Sequence, residues 1–273
     1  MPNLRAKTAQ RAPVSPAPAD AGSSRPDIKS IYEPNNKRFN VIILAAGAGS
    51  RLRRYTGELP KALIEIDGTR AIDLLIRKYR FITERLILST GYNAELLEYY
   101  VKGKYADLEI VFSREPVREL AGPGRSFLRA LDRASSFLPT LSCFCDILIG
   151  DEFDVSSDAL LICNPKFVSS SSVVDRYSNV AQIEEGLVSD LLPAAKAKGN
   201  RNGFTGTAVF QNTMLLKKIC YEAALQGRDE YTLDFVRGYV RQARAKALYT
   251  GEIFEFGTMD SLTELVGAGN GRA

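Results

Sequence analysis

The sequence predicts an α/β protein, a three-layer α/β/α Rossmann-like mixed sheet with a small β-rich insertion. Three observations lead there. Phe39-Asn-Val-Ile-Ile-Leu-Ala-Ala is a continuous apolar run closed by Gly47, the pattern of a strand buried on both faces. Strand-like and helix-like segments then alternate at the spacing of right-handed βαβ units. Past Pro165 the alternation gives way to short β-like runs divided by turn residues, which reads as a β-rich insertion beside the main sheet.

The elements follow in order. Ala71–Phe81 has helical spacing through Ile72, Leu75, Ile76 and Tyr79. Arg85–Thr90 is a short apolar strand, and a helix runs from Asn93, a candidate N-cap, to about Val101. Leu108–Ser113 is a strand, and Ser126–Phe137 a helix with Phe127, Leu128, Leu131 and Ala134 on one side. Ser142–Ile149 and Asp158–Cys163 are further strands. The insertion holds β-like runs at Val173–Tyr177, Val180–Glu184 and Leu187–Leu192. Gly206–Phe210 returns to an apolar strand, Thr213–Leu225 and Thr232–Ala243 are helical, and Ile253–Phe256 is the last strand.

Residues 1–38 contain six prolines and few large apolar side chains, so they read as a disordered leader before a single domain at 39–273. The net charge of +4 resides in this leader, which has seven basic and three acidic residues. The remainder is balanced at 29 of each, so the basicity is no argument for nucleic-acid binding. No apolar run is long enough to cross a bilayer, and the leader has no apolar core for a signal peptide. A cytoplasmic protein without a membrane partner is the expectation. Cys143, Cys145, Cys163 and Cys220 have apolar neighbours and form no C-x-x-C pair, as buried free thiols would. The chain has no histidine. That excludes Ser-His-Asp and Cys-His catalysis and histidine-ligated metals.

The most informative stretch is Leu44-Ala-Ala-Gly-Ala-Gly-Ser-Arg-Leu, followed by Leu59-Pro-Lys-Ala-Leu. Small residues directly after a buried strand let backbone N–H groups approach an anion, and Arg51 and Lys61 add charge for a polyphosphate. A dinucleotide fold would want a third glycine, where Leu52 stands, and a long helix that Gly57 and Pro60 interrupt. Its acid would be Asp67, twenty residues after Gly47. A P-loop would need Gly-Lys-Ser/Thr, which is absent.

These residues resemble the sugar-1-phosphate nucleotidyltransferase family, whose pattern is L-A-x-G-x-G-x-R-L followed by P-K. The same loop also suits cytidylyltransferases acting on alcohol phosphates such as phosphocholine. Further likenesses are Leu120-Ala-Gly-Pro-Gly-Arg-Ser to an L-G-T-A-G-A segment, Cys145-Asp146 to a strand-end G-D, and Glu255-Phe-Gly-Thr258 to D-x-G-T. The resemblance covers about residues 39–265 and is to single-domain forms without a C-terminal β-helix. Pro123, Arg125 and Cys145 depart from it, and Glu255 stands where the family has aspartate. The family's E-K-P lysine has no clean counterpart, so Lys196 or Lys198 would take its place after a small shift.

The resemblance implies that a sugar 1-phosphate attacks the α-phosphorus of a nucleoside triphosphate, giving an NDP-sugar and pyrophosphate. The attacking phosphate is already anionic, its second pKa lying near about 6, so no general base is needed. Arg51 and Lys61 would be catalytic. Leu44, Ala45, Ala46, Gly47, Gly49, Ser50, Glu115 and Gly122 would bind the nucleotide. Lys196, Gly206 and Thr207 would meet the sugar phosphate, and Asp146 and Glu255 would hold Mg²⁺. Against these roles, Arg51 could pair with Glu58 or Glu65, Asp146 could cap a strand end or share a turn with Asp151, and Glu255 could be a surface strand residue. A cytidylyltransferase on a non-sugar phosphate and a non-catalytic nucleotide-binding homologue remain alternatives. The base, the sugar and any homo-oligomer stay open.

Overall fold

A computed structural model of the chain describes residues 38–52, 57, 59–66, 68–116, 122–167, 177–197, 199–258 and 261–263. The leader through residue 37, the β-like run at 173–177 apart from Tyr177, and Glu58, Asp67, Leu120 and Lys198 lie outside these residues.

Among the described residues nine strands form the main sheet. They are β1 (Phe39–Leu44), β4 (Thr83–Thr90), β5 (Ile110–Arg114), β6 (Thr140–Phe144), β8 (Ala159–Cys163), β9 (Asn179–Glu184), β10 (Leu187–Pro193), β11 (Gly203–Phe210) and β12 (Lys246–Thr250). Their order is β5-β4-β1-β6-β11-β8-β12-β10-β9. The β5-β4-β1-β6 half is parallel, and β11 runs antiparallel to β6 and β8, so the sheet is mixed. Two small ribbons stand apart, β2 (Glu65–Ile66) with β3 (Thr69–Arg70), and β7 (Ile147–Ile149) with β13 (Ile253–Glu255).

The apolar run of β1 is buried along its whole length. Val41 and Ile43 pack on one face with Ile72 and Leu75 of α1 (Ala71–Tyr79) and Leu97 and Val101 of α2 (Ala94–Lys104). Ile42 and Leu44 pack on the other with Phe127 of α3 (Pro123–Asp132), Leu216 of α4 (Thr213–Leu225) and Phe235 of α5 (Thr232–Val240). Alternate side chains of one strand thus join the two outer layers of the sandwich. Full burial of each such aliphatic side chain contributes roughly 1.5–3 kcal/mol. Among the described residues no helix is long and apolar enough to cross a membrane.

Several boundaries differ from the sequence reading, each for a local reason. The strand expected over Ser142–Ile149 is broken by a turn at Cys145–Asp146, and its second half leaves the main sheet to pair with β13. The insertion continues the sheet, because β10 pairs with β12 and β9 with β11. Strand β12 went unrecognised, since Lys and Ala in Lys246-Ala-Leu-Tyr-Thr weaken its strand signal. Helix α3 begins at Pro123, whose missing N–H costs nothing in a first turn, and ends at Asp132. Asn93 stands at the N-cap of α2 but adopts φ 46° and makes no side-chain cap bond. Asn212 does cap α4, accepting from the Leu215 amide at 2.9 Å.

Candidate active site

The carboxyl ends of the parallel strands open onto one cleft of about 550 Å³, the place where α/β sheets bind ligands. Its floor is the turn after β1. The Ala45 amide donates to Ser89 O at 3.0 Å and the Tyr92 amide to Ala46 O at 3.0 Å, which ties the turn to the end of β4. Leu52, fully buried, and its amide bond to Gly49 O at 2.8 Å close the turn into a short 3-10 helix, Ser50–Leu52. Gly49 has φ +59°, so a side chain there would be strained. Leu44, Ala46, Gly47, Gly49, Ser50 and Arg51 all line the cleft, whereas Ala45 is buried beneath it. Arg51 is exposed, and Glu65 pairs with Arg70 at 3.6 Å.

At one end of the cleft Lys61 and Asp146 form an ion pair, with side chains 12% and 18% exposed. Their partner in space is Glu255. The ribbon registers Glu255 against Ile147, and the Phe256 amide donates to Asp146 O at 3.0 Å. Gly257 is the common neighbour. A Cβ built on it would lie 2.7 Å from Asp146 Oδ2, 3.2 Å from Lys61 Nζ and 3.5 Å from Glu255 Oε1. An ammonium and two carboxylates from three separate segments therefore converge on one glycine. Asp146 is not engaged with Asp151, whose carboxylate accepts instead from Thr250 Oγ1 and the Gly251 and Glu252 amides. Burial alone would raise the Asp151 pKa, but those bonds hold it below its ordinary value.

Cys145 lies beside Asp146 on the cleft wall. Burial, then the Asp146 charge, push its thiol up to about 12, so it stays neutral. Burial and then Glu255 do the same for Cys163, also to about 12. All four cysteines are buried free thiols.

The other end of the cleft is built by Glu115 and Pro116 after β5 and by Pro123 and Ser126 of α3. Gly122 is packed behind it. A Cβ there would meet Glu230 O at 2.2 Å, so this glycine admits the neighbouring loop and does not line the cleft. Gly206 has φ +85°, and a Cβ on it would strike the Phe144 ring at 2.3 Å. Thr207 is fully buried. Lys196 is exposed on the 3-10 turn Ala194–Lys196 and is not among the residues lining the cleft. The three residues expected at the sugar phosphate are thus not brought to the lining that Lys61 and Asp146 share.

Sequence reasoning missed Tyr92, Glu95, Ser126 and Phe144, all on the cleft wall. The available signal was Gly91-Tyr92-Asn93 directly after a buried strand, since strand ends in a parallel sheet mark the crevice.

Two carboxylates suit a magnesium ion that takes its other oxygens from water and substrate phosphates, as this ion prefers. Among the described residues there is no group of three or more acidic or cysteine side chains placed to hold a metal.

Residues 41–152 match the family of MobA-like NTP transferase domains. The chain is 26% identical over 199 residues to a D-glycero-α-D-manno-heptose 1-phosphate guanylyltransferase of Aneurinibacillus thermoaerophilus, covering 67% of this chain and 82% of that one. It is 36% identical over 88 residues to an N-acetylmuramate α-1-phosphate uridylyltransferase of Caulobacter vibrioides, covering 31% of this chain and 36% of the relative. This chain thus spans only about a third of that second relative. A UDP-glucose pyrophosphorylase complexed with UDP-glucose has the same fold, with a TM-score of 0.68 at 16% identity, over 86% of this chain and 100% of the other.

Proposed function

We propose that this chain, a member of the nucleotidyltransferase family, is a cytoplasmic enzyme that forms an NDP-sugar and pyrophosphate from a nucleoside triphosphate and a sugar 1-phosphate. The observation that carries the reading is the convergence of Lys61, Asp146 and Glu255 on Gly257, at the end of a cleft floored by the small-residue turn. The guanylyltransferase matched over 82% of its length supports a sugar 1-phosphate as the acceptor.

The chemistry asked of the protein is positioning and charge neutralisation, since the attacking phosphate oxygen is already anionic. Backbone amides of 46–50 cradle the triphosphate. Lys61 moves from Asp146 to the α-phosphate, where negative charge develops, and Arg51 holds the departing pyrophosphate. Asp146 and Glu255 would hold Mg²⁺, which when bound offsets phosphate charge and orients the two substrates. Cys145, kept neutral, adds no charge to this end of the cleft.

The test is a matrix of nucleoside triphosphates against sugar 1-phosphates and phosphocholine, read by pyrophosphate release with and without Mg²⁺. Release with a sugar 1-phosphate supports the reading. Release with phosphocholine alone makes the protein a cytidylyltransferase of the other kind, and no release with any pair removes catalysis altogether.

A further inference from the structure

Helix α4 turns one face to the sandwich and leaves the opposite one bare. Leu216, Ile219, Cys220 and Ala223 are buried in the core, whereas Met214, Lys218, Tyr221, Glu222 and Leu225 are exposed. At about 100° per residue, Met214, Tyr221 and Leu225 fall within about 40° of one another, so they form one stripe along the helix. Met214 is 58% exposed, Tyr221 47% and Leu225 89%. Phe137, 91% exposed, flanks the stripe at its Met214 end. Its loop is held to the first turn of α4 by Thr213 Oγ1, which donates to Leu138 O at 2.6 Å, and by Lys217 Nζ, which donates to Ala134 O at 2.7 Å. Tyr221 is fixed by its hydroxyl, which donates to the Asp132 carboxylate. Single apolar side chains on a surface need no explanation, but four on one face do. Together they expose roughly 500 Å², scaled from about 150–250 Å² for a whole aromatic side chain.

We infer that this stripe is the interface of a two-fold dimer, in which α4 packs antiparallel against α4 of a second copy. The spacing is self-complementary, as a contact of one patch with itself demands. Met214 and Leu225 are equidistant from the midpoint between Ile219 and Cys220. A two-fold axis at that midpoint sets Met214 against Leu225 of the second copy, once at each end. The same axis brings Lys218 beside Glu222 of the second copy, opposite charges on one flank, again twice. Within one chain these two make only a loose pair at 3.9 Å, each more than half exposed. A parallel arrangement would instead set Lys218 against Lys218. Tyr221, already held by Asp132, loses little freedom on association. Two copies would hide about 1,000 Å², the lower limit for a specific interface, which places the dissociation constant in the micromolar range. None of these residues lines the cleft, so the inference stands independently of the reaction.

The experiment is sedimentation equilibrium of the intact chain at concentrations spanning the micromolar range, with melting curves to verify that each variant is folded. The parent is expected to show a reversible monomer–dimer equilibrium. Leu225→Asp buries an unpaired charge at both ends of the contact and should weaken association about 100-fold. Lys218→Glu sets like charges together on the flank twice and should weaken it about 10-fold. The charge-swapped double variant Lys218→Glu with Glu222→Lys should regain the parental constant, since opposite charges again meet across the axis. A parent that stays monomeric at every concentration, a dimer indifferent to Leu225→Asp, or a double variant as weak as Lys218→Glu overturns the inference. So does a monomer in which Leu225→Asp speeds amide exchange in residues 1–37, because the leader would then be what covers the stripe.

Discussion

Replacing Lys61 by methionine keeps the aliphatic stem, whose Cβ is 3.3 Å from the Cβ position of Gly49, and removes only the ammonium. Two readouts should then move in opposite directions. Two unit charges about 4 Å apart attract by about 4 kcal/mol at an effective dielectric of 20. Lys61 and Asp146 remain 12% and 18% exposed, so the net value of a hydrogen bond to a charged group, about 1.5–3 kcal/mol, is the safer figure. Losing it frees the Asp146 carboxylate for a cation beside Glu255. At about 1.4 kcal/mol per decade, Mn²⁺ should bind the nucleotide-free variant about 10- to 100-fold more tightly, as measured by paramagnetic resonance titration. Turnover should fall by about 10²–10³, the usual cost of removing one preorganised donor to a developing charge. A variant with full pyrophosphate release would take Lys61 out of the chemistry. Unchanged Mn²⁺ binding would show that this acid pair is not where the cation sits.

Gly257→Ala places a methyl 2.7 Å from Asp146 Oδ2 and should lower kcat/KM about 100-fold through misplacement alone, with a melting temperature within a few degrees of the parent; an unaffected rate would mean the acid pair tolerates displacement. Gly206→Ala combines φ +85° with a 2.3 Å approach to Phe144, and urea unfolding should report a loss of at least about 1–3 kcal/mol, whereas a neutral result would place that backbone elsewhere. Stability should be flat at neutral pH and fall in acid. Burial would raise the Asp73 pKa, but bonds from Lys104, Tyr100 and Tyr105 bring it below 3.8, and Arg237 lowers Asp190 further still. Depressed carboxylates stabilise fully above their unfolded values and lose that contribution as pH falls through the folded ones. Melting temperature should therefore decline only below about pH 4, and Asp73→Asn should shrink that decline; a loss already under way at pH 6 would contradict it.

The half of the fold that sequence displayed best is the half whose residues are buried on both sides. In β1 every position is apolar or packed, so a continuous run could mean only an interior strand. The alternation that followed was legible for the same reason. Strand β12 was not, because Lys246 and Tyr249 are exposed, only Thr250 at its end is buried, and the segment lacks a consistent apolar face. The break at Cys145–Asp146 was hidden too, since the run from Ser142 to Ile149 is apolar on both sides of it and only the pairing partner changes. At the site, Lys61, Asp146 and Glu255 could be named from motif likeness, but nothing in their spacing tells that Gly257 must lack a side chain. The residues expected at the sugar phosphate were least legible. Lys196 was selected by counting from neighbouring glycines, and counting cannot see that its turn leaves the residue exposed and off the cleft lining.

How Glu255 arrives beside Asp146 is a matter of a turn, not of the main sheet. After β12 the chain must reverse into β13 for the ribbon with β7 to form, and Asp151 holds that reversal by accepting from Thr250 Oγ1 and the Gly251 and Glu252 amides, each within 3.0 Å. Gly150 adds its own amide bond to Glu252 O at 2.7 Å. Beneath them Lys78, fully buried on α1, donates to Gly150 O at 3.2 Å and Asp151 O at 2.7 Å. A buried ammonium is costly unless such acceptors meet it, so moving either carbonyl away would strand the charge, and the corner resists displacement. The rigidity has a purpose in a chain without histidine. In the proposed reaction no proton need move, so the rate would depend on where charges stand, and this corner fixes where Glu255 stands.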